Sequence, residues 1–463
     1  MRRYGGWWLG VVLGGCGWVS LSRDVAAAKE ESSPVLRRRV FFGAQIGPVG
    51  DETRQRQGLP TTKGVEILRL LPNSSATAAG LRAGDVVLSL GGSSVDATPA
   101  FLRKLATFSP GEAAAVELFR DGKKQTKELK FVELPRESSD QYDVLHEAVE
   151  SKAGRLRTII TRPKTEGKHP ALLLLQGLGP ATIERLPGAP ADGYHQLIDD
   201  FTGRGYVTMR LDKPGCGDSL GGPLADVAFD SQLDGFRQAL AALRQRPDVD
   251  PERIVLFGHS MGGTWGAILA KETPVRGIAV FGTVSRPWLE YLMETSRRQL
   301  ELAGVPADEI ESRMALERAG LQFIYRDQLS PEETATQHPE LAEWVEQTFQ
   351  DFKYTSTCHY TFFQRLVDED MLKVWEKVPG QVLSLWGQAD FIAAEPDHAL
   401  IAQAVNQARP GQAEFVSLPE IDHAFHRAAS QAESRGRWGM PGQVHPKFLE
   451  TLRAWSKKVN GGT

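Results

Sequence analysis

The segment 258–262 reads Gly-His-Ser-Met-Gly and presents the strongest candidate nucleophile of the chain. A serine hydroxyl becomes reactive when a sharp turn exposes it beside a base and beside donors that bind the developing oxyanion. The glycines that flank Ser260 leave room for such a turn, and the apolar run at 254–257 indicates a strand that leads into it. We therefore predict that Ser260 attacks a carbonyl carbon and forms an acyl-enzyme.

Acid–base partners for this serine occur later in the chain. Asp390 follows the predicted strand at 382–386, and His423 follows the predicted strand at 414–418. The order serine, acid, histidine is the one expected when a strand-to-helix turn presents the serine. His423 would act as general base and then as general acid, while Asp390 would hold its tautomer and stabilise the imidazolium. The alternatives for the base or the acid, with poorer positions in the loops, are His426, His398, Asp422 and Glu395.

Two backbone N–H groups are candidates for the oxyanion hole. The first belongs to Met261, directly after the serine, and the second to the loop that follows the apolar run at 171–175. That loop reads Gln-Gly-Leu-Gly at 176–179, and its glycines allow backbone donors to face the site. We expect Leu178 to supply the second donor.

The elements that must position these groups are an alternation of apolar runs and helical patterns from about residue 144 onward. Such an alternation is typical of a mostly parallel sheet with helices on both faces. The predicted strands lie at 157–160, 171–175, 206–211, 254–257, 277–281, 382–386 and 414–418. Residues 286–375 interrupt the alternation with helix formers and no clear strand. We expect a helical cap over the carboxyl ends of the strands, where open α/β sheets bind ligands.

The loop at 211–219 carries a resemblance to a known family. It reads Leu-Asp-Lys-Pro-Gly-Cys-Gly-Asp-Ser and matches the D-x-x-G-x-G-x-S loop of the α/β-hydrolase family, which residues 144–460 resemble over their full length. The likeness is closest to bacterial esterases, thioesterases and serine aminopeptidase-like hydrolases with helical caps. It implies acyl transfer to water without a metal or an organic cofactor. Gln176 stands where the family usually has histidine, but the predicted oxyanion donors are backbone groups and survive this change.

A separate unit is predicted at 40–134. Short strands alternate with turns there, a Gly-Gly pair at 91–92 indicates a hairpin, and apolar residues at helical spacing predict a helix over 98–108. The segments 73–76 and 79–87 resemble the PDZ domains attached to bacterial envelope proteases. The sequence therefore predicts a small β-rich, PDZ-like domain ahead of the α/β domain.

The PDZ resemblance implies a groove in which a peptide adds a strand to a sheet edge. The residues expected to bind the peptide are the loop Phe41-Phe42-Gly43-Ala44, for the terminal carboxylate, and the helix residues Leu102 and Leu105, for the last side chain. Alternatively, these residues are only the core of a small domain that docks on its neighbour. The polar segment 133–143, which contains a proline, is predicted to link the two domains.

Residues 1–28 have the layout of an export signal, because two arginines precede an apolar stretch that ends in small residues. Three outcomes stay open: cleavage after the alanines at 26–28, lipidation of Cys16 in Leu-Gly-Gly-Cys, or retention of 4–22 as a membrane anchor. We predict an exported protein of the bacterial cell envelope or periplasm.

Composition excludes some classes of partner and site. The chain has 54 Lys and Arg against 58 Asp and Glu, without concentration in either half, so no nucleic-acid-binding surface is expected. Apart from Cys16, only Cys216 and Cys358 remain, which excludes a disulfide framework but leaves one bridge open. Cys358 and His359 have no second ligand pair at metal spacing, so no metal site is expected.

These features support one main hypothesis and two alternatives. The main hypothesis is an exported serine hydrolase that cleaves carboxylic esters, or thioesters or amides, of small molecules, with a PDZ-like module that binds a peptide C-terminus or a protein partner. The alternatives are a peptide-binding scaffold with a catalytically idle hydrolase fold, and a serine peptidase. The sequence places no charged side chain in a substrate pocket that decides between ester and amide.

Overall fold

The computed structural model describes residues 36–189, 191–440 and 442–461. The predicted export signal at 1–28, including Cys16, lies outside these residues. Among the helices of the described residues, none is both long enough and apolar enough to cross a membrane.

The N-terminal unit is an antiparallel sheet with short helices. Its elements are the strands β1 (Ala44–Pro48), β2 (Val65–Leu70), β3 (Val86–Leu90), β4 (Ser93–Ser94), β5 (Ala113–Arg120) and β6 (Lys123–Lys130), and the helices α1 (Asp51–Gln57), α2 (Ser75–Ala78) and α3 (Thr98–Leu105). The strand order is β1-β2-β3-β5-β6, with β4 paired to β3 across the predicted Gly-Gly turn. Strand β1 is thus an edge strand, and α3 packs next to it, which is the geometry of a strand-addition groove.

The larger domain is built around an eight-stranded sheet. The strands of this sheet are β7 (Asp143–Ser151), β8 (Gly154–Arg162), β9 (His169–Leu175), β10 (Val207–Leu211), β11 (Val249–His259), β12 (Gly277–Phe281), β15 (Gln381–Gly387) and β16 (Ala413–Leu418). A separate two-stranded ladder consists of β13 (Tyr354–Thr355) and β14 (Cys358–His359). The order is β16-β15-β12-β11-β9-β10-β8-β7. The six strands from β16 to β10 run parallel, and the hairpin β7–β8 closes the other edge antiparallel. All seven strands predicted from apolar runs are confirmed.

Helices cover both faces of this sheet, as the continuous apolar strands predict. They are α4 (Gly193–Gly203), α5 (Phe229–Gln245), α6 (Met261–Glu272), α7 (Trp288–Leu302), α8 (Ala307–Leu321), α9 (Pro331–Gln337), α10 (Ala342–Thr348), α11 (Tyr360–Val367), α12 (Met371–Trp375), α13 (Glu395–Ala408), α14 (Gln431–Gly436) and α15 (Pro446–Val459). Leu173 of β9 packs in one apolar cluster with Phe236 of α5. Its neighbour Leu172 packs in another cluster with Trp455 of α15. Alternate residues of one strand therefore hold two helical layers.

The segment 286–375 forms the predicted helical insertion, with two differences in detail. The chain also makes the short β13–β14 ladder, which sequence reasoning did not predict, and a π-helical turn at Gln322–Arg326 follows α8. Helix α7 lies over the carboxyl end of β15, because Arg298 on it donates to the carbonyl oxygens of Asp390 and Ile392 at 3.4 and 3.1 Å. The insertion thus contacts the loop that carries the predicted catalytic acid.

The segment predicted as a linker, 133–143, packs on the larger domain instead of crossing solvent. Glu137 is buried, and its carboxylate accepts from Arg210 Nη2 at 2.5 Å and from the Arg185 N–H at 2.8 Å. A buried charge of this kind is stable only with its partners in place. The partners lie 73 and 48 residues away along the chain, so local polarity could not reveal them.

The residues before β1 are anchored to the same region. Arg38 is buried and donates to Glu184 at 3.0 Å and to Asp218, and both carboxylates also accept from Arg157. The PDZ-like unit is therefore attached to the larger domain through the segments on both of its sides. The boundaries 40–134 and 144–460 stay predictions, since the flanking segments belong to this shared interface.

A buried carboxyl in the cap predicts a pH-dependent stability. Glu317 of α8 accepts a hydrogen bond from Ser296 of α7, and burial raises the pKa of Glu317 from 4.5 to about 7. Between pH 4.5 and 7 the Glu317 carboxyl therefore stays protonated in the folded state and is ionised in the unfolded chain. Because the folded state binds this extra proton, the free energy of unfolding falls as pH rises through this range, by about 3 kcal/mol. We expect Glu317→Gln to remove this loss.

The test compares melting temperatures at pH 4.5 and pH 8 by calorimetry. Glu317→Gln should melt above the parent protein at pH 8 and near it at pH 4.5, because an amide stays neutral at both values. Glu346→Gln, exposed on α10 of the same cap, is the matched control and should change neither value. Equal pH dependence in Glu317→Gln and the parent protein would refute the assignment.

Candidate active site

Ser260 lies in the turn between β11 and α6, with φ 54° and ψ −127°. A positive φ with this ψ is rare for a residue with a side chain and is typical of a serine nucleophile at a strand-to-helix turn. The flanking positions must be glycine because a side chain would collide with the neighbouring backbone. A Cβ on Gly258 would lie 2.6 Å from the Gly262 carbonyl oxygen, and a Cβ on Gly262 would lie 1.9 Å from the Leu175 carbonyl oxygen. The predicted reason for the two glycines is therefore borne out.

His423 and Asp390 form a buried pair, as the sequence predicted. His423 Nδ1 lies 2.7 Å from Asp390 Oδ2, and Asp390 Oδ1 accepts from the N–H groups of Ile392 and Ala393 at 2.8 Å each. Burial by itself raises the pKa of Asp390, but the charge of His423 and these hydrogen bonds outweigh it, so the pKa lies below its ordinary value. Asp390 is thus ionised and orients the imidazole through Nδ1.

The serine turn and the His423–Asp390 pair meet at Gly282, which follows β12. A Cβ on Gly282 would lie 2.8 Å from His423 Nδ1 and 3.1 Å from Asp390 Oδ2. The preceding residue, Phe281, accepts the Ser260 N–H at 2.9 Å. The three predicted catalytic residues therefore share the carboxyl end of the sheet. Within the described residues no hydrogen bond to Ser260 Oγ is formed, so its contact with His423 stays a prediction.

The alternative histidines and acids have other partners. His398 is buried, accepts the Thr283 N–H at Nε2 and lies 2.9 Å from the Ala394 carbonyl oxygen through Nδ1, so both ring nitrogens are used. Asp422 accepts from the N–H groups of Ala424 and His426, which closes its own turn. His426 lies 3.9 Å from Asp422, and Glu395 is exposed at the start of α13. These contacts favour His423 and Asp390 over the alternatives.

His259, which precedes the serine, connects the nucleophile turn to the His423 loop. Its Nε2 lies 2.9 Å from the His423 carbonyl oxygen, and its Nδ1 lies 2.5 Å from Tyr194 Oη. A carbonyl only accepts, so Nε2 carries the proton. Burial and then the charge of His423 lower the pKa of His259 to about 3, so the ring is neutral and Nδ1 accepts from the Tyr194 hydroxyl.

Sequence reasoning missed this connection. Tyr194 also accepts the Gly177 N–H at 3.3 Å, so one hydrogen-bonded chain runs from the predicted oxyanion loop to the backbone of His423. The histidine between Gly258 and Ser260 was visible in the motif, but its partners lie on α4 and in the loop after β16. Only the folded topology brings them together.

The predicted oxyanion donors lie in the expected loops. Within the described residues, the N–H groups of Leu178 and Met261 have no acceptor, so both are available to a ligand. A Cβ on Gly177 would lie 2.9 Å from Ser260 Cβ, which places the loop against the nucleophile. Met261 begins α6, where the helix dipole adds positive potential. Gln176 donates to the Leu211 carbonyl oxygen at 2.7 Å and supports the loop in place of the family's usual histidine.

The two described cysteines, Cys216 and Cys358, are both buried and form no disulfide, so the bridge left open by the sequence does not form. Burial raises the pKa of Cys358 to about 12, which keeps this thiol protonated and unsuited to nucleophilic attack. The adjacent His359 lies 2.9 Å from Thr361 Oγ1 through Nδ1. Among the described residues, no group of His, Cys, Asp and Glu is arranged to hold a metal ion.

The PDZ-like groove has backbone N–H donors at the place where the sequence predicts binding of a peptide's terminal carboxylate. The carbonyl groups of Phe42 and Gly43 accept from Ala76 and Leu71, whereas their N–H groups have no acceptor within the described residues. Gly43 has φ +69°, and a Cβ there would lie 2.1 Å from Ser74 Cβ. Phe41 is buried, and Ala44 begins the edge strand β1. Leu102 and Leu105 are half-buried on α3 and pack against the same core.

Ser260, Asp390 and His423 all lie in a region that matches a known family. The model of the serine aminopeptidase S33 family matches residues 188–428, which is just over half of the chain. The chain belongs to this family. The PDZ domain model matches residues 47–131. The predictions of an α/β-hydrolase fold, of a serine hydrolase family and of an N-terminal PDZ domain are therefore confirmed. The S33 match begins after the predicted oxyanion loop, so the role of Leu178 stays a prediction.

Two relatives of this S33 family member each match part of its sequence. Esterase EstD of Thermotoga maritima is 23% identical over 304 residues, which are 63% of this chain and 65% of the esterase. A probable periplasmic serine endoprotease DegP-like from Pseudomonas savastanoi pv. phaseolicola is 27% identical over 173 residues, or 37% of this chain and 35% of the protease. The chain thus spans less than two thirds of either relative.

Among solved structures, acetyl xylan esterase 1 from Thermoanaerobacterium superposes with a TM-score of 0.43 and 16% identity. The superposition covers 71% of this chain and 87% of the esterase.

Proposed function

We propose that the protein is a serine hydrolase that cleaves carboxylic esters through an acyl-enzyme on Ser260, with His423 as general base and Asp390 as its partner. The observation that carries this proposal is the strained turn at Ser260 beside a buried, hydrogen-bonded His423–Asp390 pair. Such a turn costs free energy and persists where function requires it.

In the proposed reaction, His423 Nε2 takes the proton of Ser260 Oγ as that oxygen bonds to the ester carbonyl carbon. The N–H groups of Leu178 and Met261 bind the resulting oxyanion. The intermediate collapses, His423 returns the proton to the leaving alcohol, and the acyl group stays on Ser260. Water then attacks the acyl-enzyme by the same route, and the carboxylic acid leaves. Asp390 stabilises the imidazolium in both halves.

The surroundings of the site favour an apolar acyl group. Leu178 packs against the apolar cluster that contains Met261 and the cap residues Trp288, Tyr291 and Phe363. The Trp288 and Phe363 rings stack at 5.3 Å. Burial of an acyl chain against such a surface contributes about 0.8 kcal/mol for each methylene. Thioesters share this acyl chemistry and are included in the proposal.

Pairing of the nearby carboxylates favours an ester over an aminopeptidase substrate. A carboxylate with free acceptor positions is the expected partner of a peptide's free α-amino group. Glu294 on α7 is already paired with Arg286 and Arg298, and Asp397 is paired with Arg286. Both carboxylates therefore already have guanidinium partners.

A substrate panel tests this preference. The full chain is assayed with p-nitrophenyl esters of increasing acyl length and with aminoacyl p-nitroanilides. We expect kcat/KM for the best ester to exceed that for the best amide by at least about 100-fold, with a rise as the acyl chain lengthens. Faster turnover of the aminoacyl amides would instead assign the site to a peptidase.

We also propose export to the cell envelope or periplasm. The support is the pair of arginines before an apolar stretch within residues 1–28, and a relative named as a probable periplasmic serine endoprotease. Cleavage of the signal, lipidation at Cys16 and retention as an anchor differ in the mass of the mature N-terminus. Mass spectrometry of protein recovered from a cell fractionation separates them, and recovery of the full chain from the cytosol would contradict export.

The PDZ groove is proposed to bind a peptide C-terminus, with Leu102 and Leu105 in contact with its last side chain. Leu102→Ala should weaken binding of a fluorescent peptide with a hydrophobic C-terminal residue by about tenfold, because a leucine contact contributes about 1–2 kcal/mol. Arg103→Ala, exposed on the same helix, is the matched control for fluorescence anisotropy. Gly43 is unsuitable, because any side chain there would strike Ser74 and disturb the loop itself. Equal affinity of both variants would favour a docking role only.

A further inference from the structure

Lys213 is a buried lysine whose ammonium contacts the predicted oxyanion loop. It lies in the loop after β10, its exposed fraction is 1%, and Nζ donates to the Gly177 carbonyl oxygen at 2.6 Å. No carboxylate in the described part of the chain forms an ion pair with it. Asp212 beside it is engaged with Arg157, Thr182 and the Ile183 N–H.

Burial of a lysine without a carboxylate partner destabilises the folded state. Burial lowers the pKa of Lys213, and the nearest charged neighbours do not reverse this. The hydrogen bond to Gly177 does not depend on the protonation state, since a neutral amine still has N–H groups to donate. An apolar side chain would fill the same space at lower cost, so the contact with the carbonyl is what the lysine adds.

That contact fixes the orientation of one peptide plane. The bond between Gly177 and Leu178 is trans, because the one cis peptide of the described residues is Gly222–Pro223. In a planar trans peptide the C=O and N–H groups point in opposite directions. A Gly177 carbonyl held against Lys213 therefore turns the Leu178 N–H away from Lys213. A Cβ built on Gly177 would lie 2.9 Å from Ser260 Cβ, so the same loop lies against the nucleophile.

The loop that carries Lys213 is itself held firmly. Arg39 Nη2 donates to the Gly215 carbonyl oxygen at 2.8 Å, and Ser219 Oγ donates to the Asp212 carbonyl oxygen at 2.8 Å. On the other side, the Gly177 N–H is held by Tyr194. One hydrogen bond therefore holds the peptide plane on each side of Gly177.

We propose that Lys213 is a positioning residue for the oxyanion hole: it holds the Gly177 carbonyl so that the Leu178 N–H stays directed at the substrate oxygen. The inference rests on the proposed function, because it assumes acyl transfer at Ser260. Without Lys213, the Gly177–Leu178 peptide plane can rotate, and the Leu178 N–H no longer stabilises the oxyanion of the transition state. The substrate pocket stays intact.

Kinetics of Lys213→Met test the proposal. Methionine keeps a flexible side chain of similar length but has no donor. Loss of one oxyanion donor lowers kcat about 100-fold, so we expect that fall with KM changed less than about threefold, and a parallel loss of affinity for a trifluoromethyl ketone that forms a hemiketal with serine. Lys271→Met, at the far end of α6, is the matched control and should keep both constants. An unchanged kcat in folded Lys213→Met would overturn the proposal.

A crystal structure of the wild-type protein with the trifluoromethyl ketone tests the same point without a variant. We expect a hemiketal on Ser260 whose oxygen accepts from the Leu178 N–H, with Lys213 still bonded to the Gly177 carbonyl. A hemiketal on Ser260 with its oxygen bound elsewhere refutes the role of Lys213 alone. Absence of any adduct on Ser260 refutes the proposed function and this inference with it.

Discussion

Ser260→Ala is expected to lower kcat for ester hydrolysis by roughly 10⁴- to 10⁶-fold, as removal of a serine nucleophile does in a triad enzyme. The variant keeps the turn and the oxyanion donors but has no oxygen to bond to the carbonyl carbon. The residual rate would reflect binding and oxyanion stabilisation of direct attack by water. Initial rates with a p-nitrophenyl ester measure the effect, and circular dichroism checks the fold.

Ser384→Ala is a matched control for this variant. Ser384 lies on β15, is fully buried, and its hydroxyl has no partner within the described residues. The same chemical change there removes no predicted function, so kcat should stay within about twofold of the wild type. Equal activity of Ser260→Ala and Ser384→Ala would show that another group performs the chemistry and would refute Ser260 as the nucleophile.

Asp390→Asn is expected to reduce kcat by about 10⁴-fold, the size of effect seen when a triad acid becomes an amide. The two backbone N–H groups at Ile392 and Ala393 require an acceptor, so the asparagine oxygen will face them. Its NH₂ group then faces His423 Nδ1, which must accept. The imidazole proton moves to Nε2, and the nitrogen that should take the Ser260 proton already carries one.

Asp422→Asn distinguishes this account from the alternative acid. Asp422 accepts from two backbone N–H groups of its own turn, and an amide oxygen can replace that acceptor. We expect less than a tenfold change in kcat for Asp422→Asn, measured with the same ester. A larger loss in Asp422→Asn than in Asp390→Asn would reassign the acid.

Local patterns were sufficient to predict the sheet, the serine turn and the acid and base. Each depends on residues close in sequence: an apolar run gives a buried strand, and glycines around Ser260 give the turn. Asp390 and His423 lie 33 residues apart, yet both follow a strand, and parallel strands end at one edge of the sheet. The pairing of these two side chains therefore followed from topology that the apolar runs already encode.

Contacts between distant loops could not be predicted in the same way. Lys213 and Gly177 meet because β10 and β9 are neighbouring parallel strands, but nothing in the loop sequence says which carbonyl the ammonium reaches. Tyr194 and His259 are 65 residues apart and meet through α4. The polar segment 133–143 was predicted as a linker because its buried ion pairs lie on other elements. Register and burial, which decide these contacts, are properties of the whole fold.

Labelling with a fluorophosphonate, followed by peptide mass spectrometry, tests the assignment of Ser260 most directly. The reagent phosphonylates a serine only where a base activates it and donors hold the phosphoryl oxygen. We predict one adduct per native molecule, on the peptide that contains Ser260, and none after heat denaturation. An adduct on another residue of the native protein, or no adduct at all, would contradict the account.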